Sequence, residues 1–476
     1  MFTVRHRFVS QNSADKAFLR TGTMLAKSFH TVTGFLASCA VANPQSASDS
    51  QYVLQIRKTG EPLALGKSLQ RFGSTSVAPL TTAGRGNYFF ASLTVGDSPD
   101  PQQVVFDTGS SDTYFIGSTC TSDVHADCAP NEPGAIVVDA SSFVATGAHA
   151  QTVFGNGNNG ANYTIYNTTV RWGSMVSTNL PVGIATYLFG GVGTHGVVGM
   201  AFNHLSRISA SLGGANANFL DHAGLSSFGV YVDPVDASVG EVSFGFYDTS
   251  KFHANETFQW FPVVNPDTTG YWAVTLPGVI ISWVDSRGNK LFFDYESEET
   301  ATTSGTCVVD TGTPEIVLTE DARNKINRWF NPRYDPVLNE IPCTTQSSGN
   351  PLTFTLTSSD GTIVSYNVPY DTLVMAEPSG ACRSLISGDA DQLGLTILGA
   401  PFYQTAFVAH DKKGKRVGFV QLSQSAATAS KKSQSGFAPV IGSEVNLGWP
   451  RKSHFRKVSK NQKKLNHFKS HQKLPR

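Results

Sequence analysis

Charge is scarce in this chain: Asp, Glu, Lys and Arg make up 15% of 476 residues, and 36 bases balance 36 acids. Long apolar runs are missing as well. Beyond one modestly apolar stretch near the N-terminus, none reaches the length needed to cross a bilayer, so no membrane partner is expected. There is no His-Glu-x-x-His and no Gly-x-Ser-x-Gly, which leaves zinc-peptidase and serine-hydrolase chemistry without its residues. No cofactor or metal is expected. The stretch GVGTHG, Gly191 to Gly196, satisfies the dinucleotide-binding pattern letter for letter, but VVGMAF after it reads as a buried strand, not the opening of a phosphate-binding helix. Lone histidines such as His195 and His204 read as surface or satisfied groups, and Cys307 as a small buried hydrophobe rather than a nucleophile.

What is present is 40% hydrophobic residues, enough at this length for two sizeable cores or one large bilobal one. β-branched and aromatic runs recur between Gly-, Ser- and Thr-rich turns, which predicts a mostly β protein with few, short helices. The balanced net charge hides an asymmetry along the chain. Residues 431 to 476 hold twelve Lys/Arg and only Glu444, whereas residues 81 to 430 hold 15 bases against 32 acids. An acidic body of this kind is unsuited to nucleic acid and loses its self-repulsion as pH falls and carboxylates protonate.

The termini read as separate segments. From Met24, MLAKSFHTVTGFLASCAVAN has a basic start, a modestly apolar middle and an Ala-Val-Ala exit, the pattern of a secretory signal peptide over residues 24–42 with 1–23 as an upstream extension. A mitochondrial-type leader is the alternative, since Arg5, Arg7, Lys16 and Arg20 precede it. Secretion is expected, with vacuolar delivery as the other destination. Three Asn-x-Ser/Thr acceptors, Asn162, Asn167 and Asn255, suit that route. Residues 43–80 form a modestly basic segment with little turn or strand order, and the basic tail, 424–476, reads as disordered. Of six cysteines, Cys120 with Cys128 and Cys343 with Cys382 suggest themselves as disulfides of an oxidising compartment, although spacing does not fix the connectivity.

The decisive pattern is an internal repeat. VVFDTGSSD, residues 104 to 112, runs an apolar strand into Asp107, Thr108 and Gly109; CVVDTGTPE does the same 203 residues later with Asp310, Thr311 and Gly312. Each is preceded by a strand opening on Tyr-aromatic, in NYFFASLTV and GYWAVTLPGV. Each is followed at nearly equal distance by an apolar-apolar-Gly step, Val197-Val198-Gly199 and Ile397-Leu398-Gly399. The chain is an approximate duplication of one β unit.

Over residues 81 to 423 these motifs resemble the pepsin-like aspartic endopeptidases. The resemblance implies two pseudo-two-fold-related β lobes, 81–248 and 249–423, meeting at a cleft with both Asp-Thr-Gly loops on its floor. It also implies a monomer that hydrolyses proteins and peptides at acidic pH and is made as a zymogen. Uncatalysed by a covalent nucleophile, peptide hydrolysis needs a base to activate water and an acid for the carbonyl oxygen and leaving amine. Two carboxyls about 3 Å apart cannot both ionise, and aspartic proteases are the standard example of such a coupled pair. By this resemblance Asp107 and Asp310 are catalytic. Gly109 and Gly312 admit close backbone approach, Ser110 and Thr313 bond the outer carboxylate oxygens, and Thr108 and Thr311 bond across to the opposite loop.

Two further expectations follow from the resemblance. The flap of the first lobe is matched best by Phe154-Gly155. This departs from the family, which has a Tyr there and an indole where this chain has Tyr114, so the expectation is a flap steered by apolar contact with the Tyr114 hydroxyl serving another partner. The segment 43–80 resembles a propeptide whose cation, from Lys58, Lys67 or Arg71, blocks the cleft until acid releases it. The rival reading is a catalytically silent member of the same fold that binds a peptide or protein in its cleft; the altered flap is the feature that favours it.

Overall fold

The computed structural model describes residues 52–57, 80–81, 88–122, 128, 135–155, 157–190, 196–234, 239–253, 255–275, 279–295, 306–345, 349–358, 360–377 and 379–422. The signal-peptide stretch, the upstream extension, the basic tail and Lys58, Lys67 and Arg71 lie outside them, as do residues 191–195 of GVGTHG.

The protein is mostly strand. The first half builds an eight-stranded sheet in which Phe90–Val95, Gln102–Asp107, Gly196–Gly199, Thr113–Ser122 and Met175–Phe189 lie side by side in that order. The second half builds a five-stranded sheet from Ala273–Thr275, Thr306–Val309, Thr396–Leu398, Ile316–Val317 and Ile386–Ser387. The senses of pairing match step for step. In each sheet the first pair is antiparallel, the second parallel, the third antiparallel and the fourth parallel. The repeat read in the sequence is therefore a repeat of topology, and the fold is a bilobal pepsin-like one.

A six-stranded sheet joins the halves. Its central pair, Ser227–Val232 and Ala406–Asp411, brings one strand from each half together antiparallel. A four-stranded sheet, Lys290–Tyr295, Val279–Val284, Leu352–Thr357 and Ile363–Val368, completes the second lobe. One buried apolar cluster runs through both lobes, from Phe89 and Phe106 to Phe402 and Phe419. Strands at its centre, such as Gly196–Gly199 and Thr306–Val309, are buried along their whole length. That explains why they read as continuous apolar runs rather than alternating ones.

Helices are short, and the longest described is Glu320–Phe330. Thr319 caps it by accepting from the Ala322 amide, Glu320 and Asp321 sit in its first turn, and Ala322, Ile326 and Phe330 face the core. Both disulfides are formed, Cys120 to Cys128 and Cys343 to Cys382, with Cα separations of 5.0 and 5.1 Å. Cys307 is free and buried, and burial raises its thiol to about 12, which keeps it a neutral small hydrophobe.

The segment before the first lobe departs from its sequence reading. Tyr52–Arg57 is a strand at the edge of the six-stranded sheet, paired antiparallel with Val239–Phe244, and Leu80–Thr81 pairs with Phe90–Val95. Its order comes from a partner strand far away in sequence, and a local scan for turn and strand signals does not register such a partner.

Candidate active site

The two Asp-Thr-Gly loops are held in place by the strands beneath them. Gln102–Asp107 runs parallel to Gly196–Gly199 with Asp107 opposite Gly199, and Thr306–Val309 runs parallel to Thr396–Leu398. The Met200 amide then donates to the Asp107 carbonyl at 2.7 Å, and the Asp310 amide donates to the Leu398 carbonyl at 3.1 Å. The apolar-apolar-Gly steps thus lie directly against the strands that deliver the aspartates. A side chain at Gly199 would collide with the backbone of Ser111 at 2.5 Å, so the residue there has to be glycine.

The loops meet through their threonines. The Thr108 amide donates to Thr311 Oγ1 at 3.0 Å, and the Thr311 amide donates to Thr108 Oγ1 at 2.9 Å. Each hydroxyl then donates to the other lobe, Thr108 to the Val309 carbonyl at 3.0 Å and Thr311 to the Phe106 carbonyl at 2.7 Å. Both threonines are completely buried. Four hydrogen bonds in a dry setting hold the loops in one relative position.

Each carboxyl has matching partners. Asp107 Oδ1 accepts the Gly109 amide at 2.8 Å, and its Oδ2 accepts the Ser110 hydroxyl. Asp310 Oδ1 accepts the Gly312 amide at 2.7 Å, and its Oδ2 accepts the Thr313 hydroxyl at 2.6 Å. A Cβ on Gly109 would overlap the Asp310 carboxyl, and one on Gly312 would overlap that of Asp107. The carboxyls therefore face one another across the two glycines, both nearly buried, at 6% and 8% exposure. Burial, then the neighbouring Asp310 charge, raises the Asp107 carboxyl well above the usual carboxylate range despite the Ser110 and Gly109 hydrogen bonds.

Tyr88 and Tyr271, the residues that open the two repeated strands, are both half-buried and both feel the two aspartates. Burial and then Glu315 and the dyad push Tyr88 up to about 12, and burial and the dyad raise Tyr271. They were visible in the sequence only as a repeated Tyr-aromatic opening.

Asp112, the last residue of VVFDTGSSD, had no assigned role. It is buried, and it accepts from the Tyr163 hydroxyl at 2.5 Å, the Ser206 hydroxyl at 2.6 Å and the Arg207 and Ile208 amides at 3.1 and 3.2 Å. Burial nonetheless raises its pKa. Tyr163 belongs to Asn159–Trp172, the return strand of a hairpin with Val144–Phe154, and its ring stacks on Tyr114 at 5.7 Å and 11°. Phe154 ends the outgoing strand opposite Asn159, is half-buried, and packs against the cluster containing Tyr114 and Tyr163. Gly155 follows at φ +57° with open space around it, a left-handed position that suits glycine in the turn. The Tyr114 hydroxyl is buried and has no hydrogen-bond partner among the described residues, contrary to the expected second partner.

Residues 88–422 match the family model described as eukaryotic aspartyl protease. The chain belongs to this family. Rhizopuspepsin-1 of Rhizopus niveus is 26% identical over 370 residues, covering 74% of this chain and 86% of the relative. Pepsin II-1 of Oryctolagus cuniculus is 26% identical over 369 residues, covering 73% and 85%. Cathepsin E of Aquarana catesbeiana is 24% identical over 344 residues, covering 70% and 79%. The crystal structure of an aspartic proteinase from Irpex lacteus shares the fold, with a TM-score of 0.52 and 20% identity over 72% of this chain and 96% of that one. In this member of the family, the described residues contain no cluster of three or more His, Cys, Asp or Glu able to hold a metal, and no helix long and apolar enough to span a membrane. Asn255 lies in an exposed turn. Asn162 and Asn167 are half-buried strand residues; the Asn162 amide oxygen accepts from Gln151, and the Asn167 amide oxygen is buried.

Proposed function

We propose that this protein is an acid-acting aspartic endopeptidase in which Asp107 and Asp310 share one proton and activate a water against a peptide carbonyl. The reading rests above all on the facing placement of the two carboxyls, each against the other loop's glycine and each bonded by its own loop's amide and hydroxyl. The ionised carboxyl takes a proton from water as its oxygen bonds to the carbonyl carbon, and the protonated one gives its proton to the carbonyl oxygen. When the carbon–nitrogen bond breaks, the amine leaves with the proton gained from water, while one hydroxyl of the tetrahedral intermediate gives its proton to the other carboxylate, so the product is a carboxylic acid and the pair again holds one proton. Because the pair must hold one proton, activity falls as pH rises through the raised pKa of Asp107. The Phe154-Gly155 hairpin acts as the flap, steered by packing on Tyr114 and Tyr163.

The basic segment 43–80 fits a propeptide, and the edge strand Tyr52–Arg57 gives it a seat on the six-stranded sheet. Secretion or vacuolar delivery follows from the signal-like stretch at 24–42 and the two disulfides. Asn255 is the acceptor best placed for a glycan. Terminal sequencing of the mature protein tests the processing. The silent-binder reading draws on the flap alone, and digestion of a denatured protein at about pH 3 to 5, with and without a transition-state-mimic peptide, separates the two. Inhibitor-sensitive cleavage supports the peptidase, and binding of the mimic without cleavage supports the rival.

A further inference from the structure

The two threonine hydroxyls of the active-site loops are not equivalent. Thr311 Oγ1 has the Thr108 amide and the Phe106 carbonyl as its close partners, whereas Thr108 Oγ1 also meets the Tyr403 hydroxyl at 3.2 Å. Tyr403 in turn meets His410 Nε2 at 3.3 Å. All three side chains are completely buried. A polar thread therefore descends from the loop of Asp107 into the core, and no equivalent thread descends from Thr311 among the described residues.

The thread ends in an aromatic box. The imidazole of His410 stacks on Phe228 at 4.3 Å and 6°, meets the edge of Trp272 at 4.9 Å and lies parallel to Tyr403 at 6.3 Å. The Trp272 N–H is committed elsewhere, to the Met200 carbonyl at 3.0 Å, and Met200 is the residue whose amide holds the Asp107 carbonyl. The groups that face His410 are thus the Tyr403 hydroxyl, two aromatic rings and the Val408 carbonyl, with no carboxylate among them. Nδ1 makes no hydrogen bond among the described residues. Such a box accommodates a neutral imidazole and offers an imidazolium no counter-charge, only the Val408 carbonyl.

We propose that Tyr403 and His410 are positioning residues of the dyad, and that the neutral imidazole under Thr108 makes this support fail in strong acid. The inference rests on the peptidase reading above. The Thr108 hydroxyl gives its hydrogen to Val309 and accepts from the Thr311 amide, so Tyr403 donates to its remaining lone pair and accepts from His410 Nε2–H. Each member of the thread sets the direction of the next. Burial lowers His410 from its usual 6.5 to about 3, with the Val408 carbonyl opposing. The unfolded chain therefore takes up this proton from about pH 6.5 downward while the folded one does not, and His410 withdraws stability progressively between pH 6.5 and 3.

The test uses the matured full-length enzyme and three variants, each checked for fold by circular dichroism. Tyr403→Phe keeps the ring and removes the hydroxyl; kcat is expected to fall about tenfold with KM within about twofold, because alignment is lost and not substrate binding. His410→Phe should also lower kcat while moving the acidic limb of the kcat profile and the acid-unfolding midpoint down by about one pH unit. His410→Gln, whose amide reaches the Nε2 position and does not titrate, should restore most of the lost kcat and keep the shifted limb. If all three match wild type in kcat and both acid midpoints, the pair is packing only and the proposal is overturned. If the wild type itself shows no inhibitor-sensitive cleavage, the peptidase reading fails and the positioning role fails with it. The acid-unfolding midpoints then still decide the fate of the imidazole: an unmoved midpoint overturns that half as well.

Discussion

At the scale of single residues the site is governed by contact distance more than by chemical identity. Neither Gly109 nor Gly312 lies in the left-handed region, so their lack of a side chain is required by the facing carboxyl and not by backbone conformation. Gly312→Ala should therefore reduce kcat/KM by about 100-fold or more through displacement of Asp107, with a smaller effect on overall stability. Steady-state kinetics beside thermal melts check this; an unchanged rate would mean that the loops are farther apart than their hydrogen bonds require. The facing pair of carboxyls was legible because both copies of one motif stand in the same strand-to-loop setting. Asp112 was not legible. Its partners Tyr163, Ser206, Arg207 and Ile208 lie 51 to 96 residues away, and a lone Asp in a Ser-rich turn has an ordinary local explanation. Tyr403 meets Thr108 across 295 residues, a pairing that no periodicity signals.

At the scale of elements the hairpin Val144–Phe154 and Asn159–Trp172, proposed above as the flap, is tied to the strand that carries Tyr114. The phenol at Phe154 and the indole at Tyr114 are both missing, but Tyr163 on the return strand supplies a hydroxyl to Asp112 and a ring to Tyr114. Tyr163→Phe should cost about 1 to 3 kcal/mol, since it removes one donor from a buried carboxyl that keeps three others. Phe154→Tyr adds a hydroxyl with no built partner, so peptide cleavage should stay within about threefold of wild type. A large gain or loss would show that the flap is not adapted to apolar contact. Strand order was readable in the duplicated units because each is an apolar run between turn signals. The edge strand Tyr52–Arg57 was not, because its order depends on pairing with Val239–Phe244.

At the scale of the whole molecule, buried carboxyls make stability depend on pH. Burial raises Asp107, Asp112, Glu315 and Glu241, the last to about 7 even though Lys251 lies 2.8 Å away. Desolvation of a nearly buried carboxyl outweighs one ion pair here. Because the folded pKa of Glu241 lies above its ordinary 4.5, its contribution is intact below pH 4.5 and lost as pH rises through 7. That loss is about 3 kcal/mol. Glu241→Gln should flatten denaturant-derived stability between these limits by a similar amount, and an unaltered slope would refute the assignment. His410 acts in the opposite sense, withdrawing stability from pH 6.5 down to about 3, so the two groups limit stability from opposite ends of the pH scale.

The central claim is that Asp107 and Asp310 act as one proton-sharing pair. Its most direct test is cleavage of a denatured protein substrate at about pH 3 to 5 by the matured wild type, Asp107→Asn and Asp310→Asn, each confirmed as folded. The account predicts inhibitor-sensitive cleavage by the wild type that declines toward neutral pH, and loss of cleavage in both single variants. Cleavage retained by either variant, or none from the processed wild type, would contradict it.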